Sequence, residues 1–152
     1  MYRKSEEKDC KEIYDLICDM ENKQLPYAIF EEIYGSQLER KDMYCLIREE
    51  NGKVQVMLNL RFEEQLHHCE KIAEIMEFVV DAGCRDVGVG KEVLAAACHV
   101  AEEYGCIQIE VACNQLRKDT HRFYEREGMH NFHYKFSRRL MGEDSNDNVL
   151  GR

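Results

Sequence analysis

The 152-residue sequence lacks the features that mark membrane and secreted proteins. No apolar run approaches the ~20 residues that a transmembrane helix requires. The first seven residues, MYRKSEE, carry too many charged side chains for a signal peptide. We therefore expect a cytoplasmic protein that does not bind a membrane.

The eight cysteines lack the spacing of a metal site. No two of them form a C-x-x-C pair and they show no regular grouping along the chain, which argues against zinc. In a cytosolic protein such residues are typically small buried thiols. We expect no metal in this protein.

The chain also lacks the positive charge that nucleic-acid binding needs. It has 21 Lys and Arg against 30 Asp and Glu, for a net charge of −9. Affinity for nucleic acid rests on basic side chains that neutralise phosphates, so a nucleic-acid partner is not expected. The acidic balance mildly favours a cationic partner, such as an amine.

Length and composition fit one globular domain with its own core, since 44% of the residues are hydrophobic. We find no internal repeat and no second domain, and we predict a single domain over residues 1–141. Residues 142–152 are rich in Gly, Asp, Asn and Ser and are predicted to form a disordered tail.

Hydrophobic periodicity predicts a mixture of helices and strands. Helical spacing indicates helices over about 7–22, after Pro26, from Val89 to Tyr104, and over 116–127. Alternation indicates strands over 43–48, 54–62, 72–80 and 106–113, with Asn51 and Gly52 as a hairpin turn. Phe132, Tyr134 and Phe136 alternate in a predicted last strand that ends near Leu140. The hairpin over 43–62 disfavours a flavodoxin-like fold.

A glycine-containing loop follows the predicted strand that ends at Val80, and it leads directly into a helix. This arrangement exposes backbone N–H groups at a helix N-terminus, where phosphates bind well. The loop is not a Walker loop, because Lys91 is followed by Glu92 instead of a hydroxyl residue. It is not the dinucleotide fingerprint either, because Val93 stands where a glycine is required. What fits is R-x-x-G-x-G, from Arg85 to Gly90.

Together with a second motif, this loop resembles the GNAT N-acetyltransferase family. The family commonly shows A-H-R-F-Y-E-x-x-G-F after the loop, and residues 120–129 read T-H-R-F-Y-E-R-E-G-M. Arg117 stands where many members have an asparagine that contacts coenzyme A. The resemblance implies an α/β fold with a mixed central sheet, antiparallel N-terminal strands, a β-α-β core that binds acetyl-CoA, and helices on both faces.

The resemblance also implies which residues bind acetyl-CoA and supply the acid. The pantetheine arm of coenzyme A should run along the strand that ends at Val80, and the backbone amides of the glycine loop should bind the pyrophosphate. Tyr124 should act as the general acid near the sulfur of coenzyme A. The predicted acetyl-CoA contacts are Phe78, Val79, Val80, Arg85, Asp86, Val87, Gly88, Val89, Gly90, Lys91, Arg117 and Tyr124. For the base that deprotonates the amine, the residues leave two main candidates, Glu77 and Glu110. We place Glu77 on the strand face shared with Ile75 and Val79.

The resulting functional hypothesis is an acetyl-CoA-dependent N-acetyltransferase that transfers the acetyl group to a primary amine by direct attack in a ternary complex. The alternative is a non-catalytic sensor that binds acyl-CoA without turnover. The acceptor, a small-molecule or protein amine, is not identified by any motif. A homodimer is left open, because the sequence carries no signature for one.

Overall fold

A computed structural model of the chain describes residues 1–85 and 88–142. The chain divides into two compact units, Met1–Val111 and a second unit from Ala112 onward, and each is described by itself. The predicted contacts of Asp86 and Val87, and the predicted tail from residue 143, lie outside the described residues. The prediction of a single domain over residues 1–141 stays a prediction.

The first unit is built on a five-stranded mixed sheet with its strands in sequence order. Its strands are β1 Tyr2–Lys4, β2 Met43–Glu50, β3 Lys53–Gln65, β4 Glu70–Val80 and β5 Gln108–Val111. Strands β1 to β4 are antiparallel to one another in succession, whereas β5 lies parallel to β4. This confirms the predicted mixed sheet with antiparallel N-terminal strands.

The predicted hairpin joins β2 and β3. Asn51 and Gly52 both have positive φ, 53° and 75°, as a two-residue turn between twisted strands requires. Glu50 pairs directly with Lys53 across this turn. The β3 strand extends to Gln65, three residues beyond the predicted end, and shortens the connection to β4.

Helices cover both faces of this sheet. They are α1 Cys10–Glu21, α2 Tyr27–Leu38 and α3 Val89–Glu103. On one face, Ile13 of α1 and Tyr34 of α2 join a core cluster with Ile47 and Met57 of the sheet. On the other face, the ring of Tyr104, which ends α3, stacks on Phe62 of β3 with 4.5 Å between ring centroids.

Helix α3 ends before Gly105, as predicted. Gly105 has a φ of +84° and follows Tyr104 at the helix C-cap. Glycine adopts the left-handed φ of such a helix end at low cost, because it has no Cβ. This turn leads the chain back to β5, which is connected to β4 through α3.

In the second unit, residues from Lys118 to Arg126 form helix α4. The predicted strand beyond it is wrong, because residues 129–140 have no regular secondary structure. The side chains of Phe132, Tyr134 and Phe136 are 82%, 80% and 91% exposed. Alternation indicates which residues share a face, but a strand also needs a neighbouring edge for its hydrogen bonds, and sequence periodicity does not reveal that edge.

No helix in the described part of the chain combines the length and apolar character that a bilayer span requires.

Candidate active site

The end of β4 extends beyond its parallel neighbour. Pairing between β4 and β5 stops at Ile75 and Val111. β4 runs on to Val80, where it pairs with Val56 of β3. This end of β4 contains the predicted pantetheine-binding residues, and it leads directly into the glycine loop.

The N-terminus of α3 has the geometry of a phosphate-binding site. Gly88 is its N-cap with a φ of +77° and a ψ of 7°, and no side chain caps the helix there. A Cβ built at Gly88 would meet no described atom within 4 Å, so the left-handed backbone, and not crowding, favours glycine. The amides of the first turn lack partners within a helix and carry its positive dipole end. These residues therefore fit the pyrophosphate of acetyl-CoA.

Arg85 lies between the end of β4 and helix α1. Its Nε donates a hydrogen bond to the carbonyl oxygen of Val80 at 3.2 Å, and its guanidinium lies 3.9 Å from the Asp19 carboxylate. The side chain is half exposed. Arg85 thus brings positive charge to the start of the loop, whereas Lys91 is an exposed residue in the first turn of α3.

A cavity of about 330 Å³ lies beside this loop, on the side of α1. Carboxylates dominate its lining, which consists of Glu12, Asp15, Leu16, Asp19, Lys53, Val54 and Asp81. The concentration of negative charge opposes phosphate binding inside it. The cavity is therefore not the phosphate site.

A β-bulge in the middle of β4 reorients its side chains. Asn59 of β3 pairs with Glu77, but the next residue, Leu60, pairs with Ile75, so Met76 is the extra residue. Bulges of this kind change the face to which the following side chains point. The prediction that Glu77 shares a face with Ile75 is therefore wrong, although Val79 does lie on the face of Glu77, opposite Met57.

On this face, three polar side chains from separate elements meet. The buried Asn59 is 6% exposed, and its Nδ2 donates hydrogen bonds to Glu77 Oε2 at 2.9 Å and to Gln37 Oε1 of α2 at 3.0 Å. Sequence reasoning missed Asn59 and Gln37. The one available signal was a polar residue between Leu58 and Leu60 in an otherwise apolar strand.

The environment of Glu77 changes its acidity. Burial raises the pKa of the half-buried Glu77 carboxyl, and the hydrogen bond from Asn59 partly opposes this. A carboxylate with a raised pKa is a better proton acceptor near neutral pH. Of the two predicted bases, Glu77 is the one that occupies such an environment.

Glu110, the second predicted base, lies farther along the same face. It pairs with Glu74 across the β4–β5 ladder and accepts a hydrogen bond from the Gln108 amide at 3.1 Å. Glu74 in turn forms an ion pair with Arg61 at 2.8 Å. The sheet thus places Glu110 next to Glu74 and not directly opposite Glu77.

A buried thiol close to this site is unsuited to covalent catalysis. Cys45 of β2 pairs with Asn59 across the ladder and is 8% exposed. Burial, with a smaller contribution from Glu77, raises the pKa of Cys45 to about 12. Nucleophilic cysteines need a lowered pKa, so this thiol lacks the acidity of a nucleophilic cysteine.

Tyr124 lies on α4 in the second unit. Burial raises its pKa to about 12, with the Cys113 thiol adding to the effect and Arg117 opposing it. The phenol therefore keeps its proton near neutral pH, and it can donate a hydrogen bond. Arg117 is the exposed N-cap residue of α4.

Asn114, which sequence reasoning did not single out, shapes the turn before α4. Its side-chain oxygen accepts a hydrogen bond from the Leu116 amide at 2.8 Å, and its carbonyl oxygen lies 2.7 Å from His121 Nε2. Asparagine commonly forms such turns through its own side chain. These contacts hold the histidine of the second motif in place within this unit.

No group of three or more His, Cys, Asp or Glu side chains within residues 1–85 and 88–142 could hold a metal ion.

The mixed sheet, in which β5 lies parallel to β4 and is connected to it through α3, forms an α/β fold. The acetyltransferase (GNAT) family pattern matches residues 8–129, and the chain belongs to this family. It is 33% identical over 132 residues to an aminoalkylphosphonate N-acetyltransferase from Salmonella typhimurium, which covers 87% of this chain and 86% of that protein. These matches support an acetyl-CoA-dependent acyltransferase over the sensor alternative.

Solved structures share the same fold. Glucosamine-6-phosphate N-acetyltransferase from Arabidopsis thaliana superposes with a TM-score of 0.77 at 22% identity, covering 93% of this chain and 98% of that one. A transcriptional regulator from Bacillus halodurans gives a TM-score of 0.85 at 20% identity, covering 92% and 99%. At these identities the similarity concerns the fold alone.

Proposed function

We propose that this acetyltransferase transfers an acetyl group from acetyl-CoA to a primary amine by direct attack within a ternary complex. The observation that carries the proposal is Glu77, a half-buried carboxylate on the β4 bulge that accepts a hydrogen bond from Asn59. A positioned base of this kind converts the ammonium form of the acceptor into the reactive amine.

The acetyl donor, acetyl-CoA, is proposed to bind mainly to backbone groups. The amides of Val89, Gly90 and Lys91, with Gly88 as N-cap, support a pyrophosphate site at the N-terminus of α3. Asp86 and Val87 complete this loop in the family resemblance. Pantetheine is proposed to run along β4 at residues 78–80, where β4 extends beyond β5.

The proposed chemistry balances as a single transfer. The ammonium proton passes to the Glu77 carboxylate, and the neutral nitrogen attacks the thioester carbonyl carbon. The new C–N bond forms while the C–S bond breaks. Tyr124, whose role follows from the resemblance, donates its phenolic proton to the leaving sulfur. The attacking nitrogen loses its second proton to solvent as the amide forms, and the Tyr124 phenolate takes a proton back from solvent, so the products are the neutral amide and the thiol of coenzyme A.

The acceptor class to test first is an aminoalkylphosphonate, because the Salmonella relative at 33% identity acts on that class by name. Such a compound presents an ammonium group next to an acidic group. The Glu77 face contains several carboxylates and the cation Arg61. A primary amine on a short chain therefore suits both the relative and the charges of this face.

Calorimetric titration of acetyl-CoA into the purified protein tests the donor site, with Gly88→Glu as the variant. Micromolar binding that is lost in Gly88→Glu is expected. Release of free coenzyme A thiol on addition of aminoalkylphosphonates, but not of their N-methylated quaternary analogues, is expected next. A folded wild-type protein that binds no acetyl-CoA would refute the proposal, and binding without thiol release from any primary amine would refute the transfer step.

A further inference from the structure

Asn59 is an unusual residue for its position. It lies in the middle of β3 between Leu58 and Leu60, both of which are fully buried. Burying an amide in such surroundings is costly unless its hydrogen-bonding groups find partners. A leucine or valine would suit the strand better, so the amide must be explained by what it contacts.

The amide nitrogen of Asn59 donates two hydrogen bonds, and both acceptors are oxygen atoms. One is Glu77 Oε2 on β4 and the other is Gln37 Oε1 on α2. Two acceptors at 2.9 and 3.0 Å require the NH2 group of Asn59 to point toward both. The side chain is therefore held in one orientation from two sides.

We propose that Asn59 is the positioning residue of the catalytic base, Glu77. Asn59 holds Glu77 Oε2 so that Oε1 faces the amine. Gln37 of α2 holds Asn59 in turn. This inference rests on the proposed function and deepens it. It connects α2 with the proton-accepting step through a chain of two hydrogen bonds.

The hydrogen bond has an electrostatic consequence as well as a geometric one. Burial favours the neutral form of Glu77, whereas an N–H donor favours the carboxylate. Asn59 therefore favours the ionised form of the base and partly opposes the effect of burial. A neutral donor does this without forming the strong ion pair that would make the carboxylate a poor base.

The other groups near Glu77 do not supply this donor. The Cys45 thiol of β2 stays protonated and brings no charge, and Arg61 is paired with Glu74 at 2.8 Å. Gln37 of α2 contacts Asn59 through its Oε1, as an acceptor. Within residues 1–85 and 88–142, no basic side chain forms an ion pair with Glu77. The effect of Asn59 should therefore be visible in the titration of Glu77 itself.

The test combines a carbon-detected NMR titration of the Glu77 carboxyl with the pH profile of kcat/KM. The NMR signal of this carboxyl is assigned by its disappearance in Glu77→Gln. In Asn59→Leu the pKa of Glu77 should rise by about one unit, because a hydrogen bond to a charged acceptor is lost. The acidic limb of the profile should move by the same amount. Gln37→Leu should move both in the same direction by a smaller amount.

Asn59→Asp serves as the second variant in case the leucine substitution prevents folding. It keeps the shape of the side chain but removes the donor and adds a negative charge, so the titration of Glu77 should also move upward. Gln55→Leu is the matched control, because it removes a side-chain contact on the same strand, the one from Arg48 at 2.7 Å. It should leave the titration of Glu77 unchanged.

An unchanged Glu77 pKa in both Asn59 variants would overturn the proposal, and so would an equal shift in Gln55→Leu. An unchanged titration in Gln37→Leu would overturn the role of α2. The NMR readout needs no turnover. A shift in a protein that transfers no acetyl group would therefore support the positioning role while refuting the proposed function.

Discussion

The candidate site has a proposed donor side, which would bind acetyl-CoA, and a proposed acceptor side, which would bind the amine. The two sides are built in different ways. The donor side is one continuous stretch, residues 78–91, and it offers mainly backbone groups around Gly88. The acceptor side consists of the side chains of Gln37, Asn59 and Glu77, which come from three separate elements. A short motif can encode the first, whereas only the folded sheet creates the second.

This difference predicts that the two sides can be damaged independently. Changes on the donor side should weaken affinity for acetyl-CoA, and changes on the acceptor side should alter turnover and its dependence on pH. A variant that affects both equally would show that the division is wrong.

The largest effect is expected for Glu77→Gln. Gln keeps the size of the side chain and can still accept the hydrogen bond from Asn59, but it cannot take a proton. We expect kcat/KM for the amine to fall about 1000-fold, within the usual range for loss of a general base. Affinity for acetyl-CoA, measured by calorimetry, should stay within about twofold. A parallel loss of that affinity would contradict the division between the sides.

Gly88→Glu should weaken acetyl-CoA binding more than about 100-fold, because it adds a carboxylate at a phosphate site and strains a left-handed residue. Calorimetry measures this directly. The control is Gly105→Glu at the other end of α3, where φ is +84° and a Cβ also meets no described atom within 4 Å. That variant should lose stability but keep its affinity, and equal losses of affinity would show that strain alone is responsible.

For Tyr124→Phe we expect about a 100-fold lower kcat with nearly unchanged affinity for acetyl-CoA, because only the phenolic hydroxyl group, the proposed proton donor, is removed. Rapid-quench measurement of the chemical step is the decisive assay. Phe123→Leu, at the neighbouring position on α4, is the control for packing. Unaltered turnover in Tyr124→Phe would remove this residue from the proposed mechanism.

The raised pKa of Glu77 predicts a conflict between activity and stability. A carboxyl whose pKa is raised by folding stabilises the fold while protonated, and this stabilisation is lost as pH rises through the raised pKa. At pH 7 to 8 the charged Glu77 therefore destabilises the fold, and Glu77→Gln should raise the melting temperature by about 1–3 °C. The gain should shrink toward pH 4, whereas kcat/KM of the wild type falls as pH drops through the same pKa. Calorimetric melting at both pH values tests this, and an equal gain at both would contradict it.

The smallest effect is expected for Glu110→Gln. Glu110 pairs with Glu74 and contacts Gln108, so its neighbour across the ladder is Glu74 and not Glu77. We expect kcat/KM to change by less than about twofold, the size of an ordinary surface effect. A loss comparable with that of Glu77→Gln would identify Glu110 as the base and reverse the assignment.

Much of the fold could be predicted from the sequence, because its signals are local. The Asn51-Gly52 turn requires positive φ at two successive positions, and few residue types permit this. Gly105 ends α3 for a similar reason. Alternation located β2, β3 and β4, since a sheet with one face on a core repeats every two residues.

Alternation failed where the outcome depended on a distant neighbour. The aromatic residues of 132–136 repeat every two positions but remain exposed without regular structure. The bulge at Met76 was also invisible, because it is defined by the register between two strands and not by either strand alone. One extra residue on β4 was enough to separate Ile75 from the face of Glu77.

The sequence by itself was enough to propose the acetyl-CoA side of this protein, because R-x-x-G-x-G and the second motif are each contained within a few consecutive residues. Only the tertiary structure favours Glu77 over Glu110 as the proposed base, and only it revealed the contacts of Asn59 with Glu77 and Gln37. The acidity and orientation of a carboxylate depend on burial and on hydrogen-bond donors, and these come from elements that are distant in the chain and adjacent only after folding.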